Sequence, residues 1–376
     1  FFFSLPCESM ANRVALRLLV LAQLGARWAH ALLNAGQRVA LVTGASRGIG
    51  KGIAVELGRA GYTCYCLGRS SRMSGVTSDR ALPGDLDLTI ESTAEAVTAA
   101  GGRGVPICCD VTSDQAIKKA VAQVGEAEGR LDLLCCSAYT TPPDGLRANF
   151  WEQGTQMWDY TNGVGLRQLY ATCVEATPLL IETAQKESTS TPLIVLVSSF
   201  GGSSYTFNVA YGVGKAATDR LARDMAIELA PFGVTTSSLY PGLVRTEGNM
   251  ELERLGLWEE ASGGLDLALG ETAAFSGRAV TALAGLSRAE LLERSGRVQV
   301  VAELAKEFDF LEADGSRPPS IRSLAFLLPN YAFPQMEAGG LRIPAWVRSS
   351  VPDVLLPWSI FSSGSPPAAP DDEARV

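Results

Sequence analysis

The sequence predicts an α/β domain, a parallel sheet covered on both faces by helices. Three observations predict it. Short, almost wholly apolar runs recur from residue 38 to about residue 301, as strands buried on both faces require. Stretches with helical apolar spacing alternate with them, the order that builds a parallel sheet. The first run ends in a glycine-rich turn, Thr43-Gly-Ala-Ser-Arg-Gly-Ile-Gly50, that opens a helix.

The elements follow in order. Residues 39–42 are a first strand and 49–59 a helix. Residues 62–67 are a second strand, 69–87 a polar loop and 88–100 a helix. Third and fourth strands at 105–109 and 131–136 enclose a helix at 113–124. One long helix is expected over 155–185, a fifth strand at 193–197 and a sixth at 234–239, with the helix carrying Tyr211 and Lys215 between them. Residues 245–275 form a loop-and-helix excursion, 273–286 a helix and 297–301 a last strand.

The flanks differ from this body. Between Met10 and Gln37 there are arginines at 13, 17 and 27 and no acid, so residues 1–36 read as a targeting leader or an extra surface helix. Residues 37–301 are one domain. Residues 302–361 are a proline-spaced apolar extension whose runs are too short to span a bilayer; they pack on the domain or touch a membrane peripherally. Residues 362–376 read as a disordered tail.

The net charge of −8 over 376 residues argues against nucleic acid as a partner. Eight cysteines lie mostly in strand-like runs, without metal-ligand spacing, and read as buried thiols in a reducing intracellular compartment. The single histidine, His30, lies outside the domain, which excludes a histidine general base and leaves no metal site.

Chemistry must therefore come from other residues. Gly44, Gly48 and Gly50 allow a tight turn and close approach of a pyrophosphate, with Ser46, Arg47 and Ile49 alongside at the helix N-terminus. The second strand ends Leu67-Gly68-Arg69, with no acid to bind a ribose 2′-hydroxyl. Arg47 and Arg69 suit a 2′-phosphate, so NADP(H) is expected over NAD(H). Asp110-Val111 after the third strand lies near the adenine of a bound dinucleotide or serves as a helix cap. Tyr211 and Lys215, four apart, share a helix face, and the ammonium is expected to lower the phenol's pKa. Ser198, thirteen residues before Tyr211, sits at the carboxyl edge with Ser199 as its rival, since successive strand residues point oppositely. Asn162 lies within the long helix and Pro241-Gly242 follows the sixth strand. Phe150, Trp151, Trp158, Leu257 and Trp258 line an apolar pocket or pack in the core.

The glycine turn, Asn162, Ser198, Tyr211-x-x-x-Lys215 and Pro241-Gly242, in this order over residues 38–301, resemble the short-chain dehydrogenase/reductase family. Further segments, among them Asn149-Phe-Trp-Glu152, Asn162-Gly-Val-Gly-Leu-Arg167 and Leu341-Arg-Ile-Pro-Ala-Trp346, resemble one branch of it. The resemblance implies a single Rossmann-like, doubly wound domain. It implies NADPH-dependent reduction of ketones and aldehydes, steroid and xenobiotic carbonyls among them, and an endoplasmic reticulum association. The catalytic set it implies is Asn162, Ser198, Tyr211 and Lys215, with Ser137, Pro241, Gly242, Val244 and Thr246 touching the cofactor and a homo-oligomer as the common assembly. One departure stands out. The family's Asn-Asn-Ala-Gly after the fourth strand reads Cys136-Ser-Ala-Tyr139 here, which leaves open a nucleotide-binding sensor or scaffold with weak catalysis.

Overall fold

The apolar runs become seven strands: β1 (Val39–Thr43), β2 (Thr63–Gly68), β3 (Arg103–Cys108), β4 (Leu133–Cys136), β5 (Leu193–Val197), β6 (Thr235–Tyr240) and β7 (Arg297–Val300). In the computed structural model, which describes residues 38–75, 86–140, 142, 149–186 and 191–362, they form one parallel sheet in the order β3-β2-β1-β4-β5-β6-β7. This is the Rossmann-like, doubly wound arrangement. The order reverses between β1 and β4, where open sheets of this kind bind ligands beyond the strands' carboxyl ends.

Eleven helices accompany the sheet: α1 (Gly48–Arg59), α2 (Ile90–Ala99), α3 (Asp114–Glu128), α4 (Phe150–Asn162), α5 (Gln168–Lys186), α6 (Val209–Leu229), α7 (Glu247–Arg254), α8 (Trp258–Ser262), α9 (Ala273–Ala284), α10 (Arg288–Arg294) and α11 (Val301–Phe308). The period-two alternation of the strands divides the core. Ala40, Val42, Cys64 and Cys66 face α1 and α9, whereas Val39, Leu41, Tyr65 and Leu134 face α3 and α5. Both faces are dry, which is why the strands read as unbroken apolar runs. All seven described cysteines are free, and six are buried.

The single helix expected over 155–185 is divided. Gly154 has φ of 65°, α4 ends at Asn162, and residues Gly163–Arg167 form a π-turn before α5 begins. The wide turn makes room for a neighbour: a Cβ on Gly165 would lie 3.0 Å from the Tyr139 ring. Such π-turns collect at functional sites.

Past α11 the extension packs on the domain. Ile321 and Phe326 are buried against Tyr240 and Val300, and Trp358 stacks near Phe200 and Tyr240 at 6.3 and 6.0 Å. Leu341, Trp346, Val354 and Ile360 remain exposed. Among the described residues no helix is long and apolar enough to cross a membrane. The expected leader at 1–36 and all but the first residue of the expected tail lie outside the described residues.

Candidate active site

The glycine turn lies at the switch point. Ala45 N–H donates to Leu67 O at 3.0 Å, tying the turn to β2. The Thr43 hydroxyl accepts from the backbone N–H groups of Ser137 and Ala138 at 3.2 and 3.4 Å, tying it to β4. Gly44 has φ of 68°, and a Cβ there would lie 2.6 Å from Ala138 Cα; a Cβ on Gly50 would lie 2.3 Å from Gly44 O. Neither position accepts a side chain. Arg47, the N-cap of α1, makes no side-chain capping bond, whereas Thr89, Ser113 and Asn208 cap α2, α3 and α6 through theirs. A bare glycine turn on a helix without such a cap fits the diphosphate of a dinucleotide. The Glu247 carboxylate of α7 already takes one donor, Gly48 N–H, at 2.8 Å.

Asn208 caps α6 by accepting from Tyr211 N–H at 2.8 Å, which fixes Tyr211 in the first turn of that helix. Its hydroxyl donates to Ser199 Oγ at 2.7 Å. This corrects the expectation for Ser198. The alternation of an extended chain turns the Ser198 hydroxyl the other way, where it donates to the Lys215 carbonyl at 3.2 Å. Ser199 Oγ also accepts from Gly201 N–H at 3.1 Å, so a tight turn holds it. The hydroxyl that faces Tyr211 is that of the rival, Ser199.

Lys215 is buried; its ammonium donates to Val197 O at 3.1 Å and lies 5.7 Å from the centre of the Tyr211 ring and 5.0 Å from that of Tyr139. A second correction follows. Burial pushes the Tyr211 phenol up to about 12, only partly opposed by the Ser199 hydrogen bond, rather than down. The ammonium faces the ring and bonds a carbonyl, so it does not neutralise a charge at the hydroxyl. Burial lowers Lys215 itself to about 8, against the upward pull of Asp219. Asn162 is buried, its amide donating to Ala210 O at 3.1 Å, and its Oδ1 has no partner among the described residues.

The remaining expected residues distribute unevenly. Thr246 caps α7 with its methyl turned to Gly48, Val244 is buried, and Gly242 lies against the Glu271 carboxylate. Arg69 follows β2 directly and is exposed, while a Cβ on Gly68 would lie 2.9 Å from the Ile90 side chain and 3.7 Å from that of Ser46. Asp110 is no helix cap. Ser113 caps α3, and Asp110 accepts from Thr112 N–H and hydroxyl at 2.9 and 2.8 Å. The aromatic set expected to line a pocket or pack in the core is not part of the core. Phe150, Trp151, Trp158 and Leu257 are exposed, Trp258 donates to Leu265 O, and a cavity of about 590 Å³ beside the excursion is lined by other residues, Arg245, Glu247 and Met250 among them.

The rings that do frame Tyr211 are Tyr139 and Phe207, with centroids at 6.0 and 5.1 Å. Phe207 has φ of 63°, an uncommon conformation for a bulky residue. Tyr139 was visible in the sequence as a departure; Phe207 opens the segment that carries Tyr211 and Lys215, but nothing local shows that its ring meets the phenol.

Comparison with known proteins settles the family. The short chain dehydrogenase family matches residues 38–255. The chain belongs to the short-chain dehydrogenase/reductase family. It is therefore an NAD(P)-dependent oxidoreductase. The enzyme is 37% identical over 324 residues to mouse dehydrogenase/reductase SDR family member 1, an alignment covering 82% of this chain and 95% of that one. The human protein of the same name is 35% identical over the same span. Among solved structures, a short-chain type dehydrogenase/reductase from Mycobacterium marinum superposes with a TM-score of 0.57 at 24% identity, covering 72% of this chain and 95% of that one. A short chain dehydrogenase from Mycobacterium paratuberculosis bound to NAD gives 0.57 at 24% identity, covering 71% and 96%. The enzyme shares their fold.

Proposed function

We propose that the enzyme reduces ketones and aldehydes with NADPH, Tyr211 donating the proton and Ser199 holding the carbonyl oxygen. The observation that carries this reading is the hydrogen bond of 2.7 Å from the Tyr211 hydroxyl to Ser199 Oγ, with the Lys215 ammonium against the tyrosine ring. A phenol held near 12 is fully protonated at neutral pH, the state a proton donor needs. As its proton leaves, the Lys215 cation, 5.7 Å from the ring centre, faces the developing phenolate. Ser199 donates to the oxygen on which charge grows. Asn162, with its unpartnered Oδ1, would hold a water that relays protons toward Lys215, which would also hold the nicotinamide ribose.

Bound nicotinamide supplies the hydride. The residues that would hold the cofactor are Gly44, Ser46, Arg47, Gly48, Ile49 and Gly50 at the diphosphate, Arg69 at a 2′-phosphate, and Asp110 and Val111 near the adenine. Ser137, Pro241, Gly242, Val244 and Thr246 would stand along the nicotinamide half. The guanidinium directly after β2, where an acid would select NAD, supports NADPH. The aromatic walls of Tyr139 and Phe207 support apolar, steroid-like or aromatic carbonyl substrates.

A second reading, a nucleotide-binding sensor with little turnover, is favoured by Glu247 on the Gly48 N–H and by Tyr139 beside the lysine. NADPH oxidation with a panel of carbonyl compounds separates the two. Turnover by the parent protein that folded Tyr211→Phe lacks supports the reductase; undiminished turnover by that variant overturns it, and dinucleotide binding with no turnover favours the sensor. Arg69→Gln should weaken NADPH more than NADH, and an equal effect on both removes Arg69 from the 2′-phosphate.

A further inference from the structure

Behind the catalytic lysine lies a carboxylate that the reaction just described does not use. Asp219 is one turn beyond Lys215 on α6, on the same face of the helix. Its Oδ1 accepts from the Ser238 hydroxyl at 2.6 Å and its Oδ2 from the Tyr240 hydroxyl. Ser238 and Tyr240 are fully buried two residues apart on β6, so the strand's alternation aims both at the acid. Tyr240 in turn meets Ser203 Oγ at 3.2 Å and stacks near Trp358 of the C-terminal extension. The turn that holds Ser199 rests on the same oxygen: a Cβ on Gly202 would lie 2.3 Å from Asp219 Oδ2. The carboxylate thus touches β6 and the Ser199 turn from the helix that carries Lys215.

We infer that Asp219 is a positioning residue: held by Ser238 and Tyr240, it is the counter-charge that keeps Lys215 cationic and the seat on which the Ser199 turn rests. The inference rests on the reading of Tyr211, Ser199 and Lys215 given above. The other titratable groups facing Lys215 are the phenols of Tyr139, beyond β4, and Tyr211, on α6; both are neutral at working pH, with burial holding each above its ordinary value. Asp219 is the charged group that acts on the ammonium, opposing the burial that lowers it to about 8. Burial raises Asp219 as well, while its hydroxyl donors Ser238 and Tyr240, and Lys215, draw it down toward the charged form.

Asp219→Asn keeps the size of the side chain and removes the charge. The alkaline limb of the kcat profile, where Lys215 loses its proton, should move to lower pH. Dinucleotide affinity, measured by fluorescence titration near neutral pH, should stay within about twofold of the parent. A second readout needs no turnover. Because burial depresses Lys215, the folded protein gains stability on the way from about pH 8 to about pH 10.5, where the unfolded chain alone still holds that proton. In Asp219→Asn that rise should begin below about pH 8. Tyr240→Phe, which removes one donor to the carboxylate and leaves the acid in place, should shift both readouts the same way by less. Unshifted profiles and unshifted unfolding curves in folded Asp219→Asn overturn the inference. If Asp219→Asn does not fold, Tyr240→Phe decides alone. Active Tyr211→Phe would sink the catalytic reading, whereas inactive Tyr211→Phe with an unmoved Asp219→Asn sinks only the role given to Asp219.

Discussion

Glu271 offers the sharpest test of how this site is held. Its side chain is 1% exposed beneath the Pro241-Gly242 segment. Ser276 Oγ donates to it at 2.9 Å and the Gly242 N–H donates as well, but burial dominates, and the neighbouring Glu312 adds to it. The result is a carboxyl raised from 4.5 to about 8. The folded protein therefore keeps this proton while the unfolded chain gives it up. The contribution to stability is whole below about pH 4.5 and is lost as pH climbs through about 8. At about 1.4 kcal/mol per unit, the loss by pH 7 is on the order of 3 kcal/mol. Glu271→Gln removes the titration. It also forfeits about 1 kcal/mol, because the amide reproduces only one of the two acceptors. Urea unfolding at about pH 5 and about pH 7 isolates the effect, since the lost hydrogen bond is common to both. The parent should lose on the order of 3 kcal/mol more than the variant between them. Equal losses in the two proteins would refute the claim that this carboxyl is buried protonated.

Three further outcomes follow from the site. Ser199→Ala should lower kcat by roughly 100- to 1000-fold, the cost of one donor to a developing oxyanion. Ser198→Ala should lose about 1 kcal/mol of stability and far less rate, because its hydroxyl serves the α6 backbone; equal rate losses in steady-state assays would return Ser198 to the reaction. Glu247→Gln removes a carboxylate from the Gly48 N–H and should tighten dinucleotide binding by about two- to fivefold, the worth of one charge at a helix N-terminus. Weaker binding by calorimetry would mean that Glu247 supports the cradle.

Much of this was written in local sequence. Strands buried on both faces must be apolar throughout, so residues 39–42 and 193–197 announced the sheet, and Gly44 and Gly50 announced a turn with no room for a Cβ. The four-residue spacing of Tyr211 and Lys215 set them on one helix face before any fold was known. Which serine meets the phenol was decided only by the path of the chain after β5, since either of two adjacent hydroxyls fits a spacing rule and only one faces the tyrosine. The phenol's proton affinity was likewise undetermined, because spacing places an ammonium near the ring and only packing tells how much water both have lost. Asp219, Tyr240 and Gly202 lie on separate elements, and their meeting under Lys215 depends on how α6 crosses β6 and the Ser199 turn. Periodicity and turn chemistry are properties of neighbouring residues. Desolvation and charge pairing belong to residues that only the folded chain brings together.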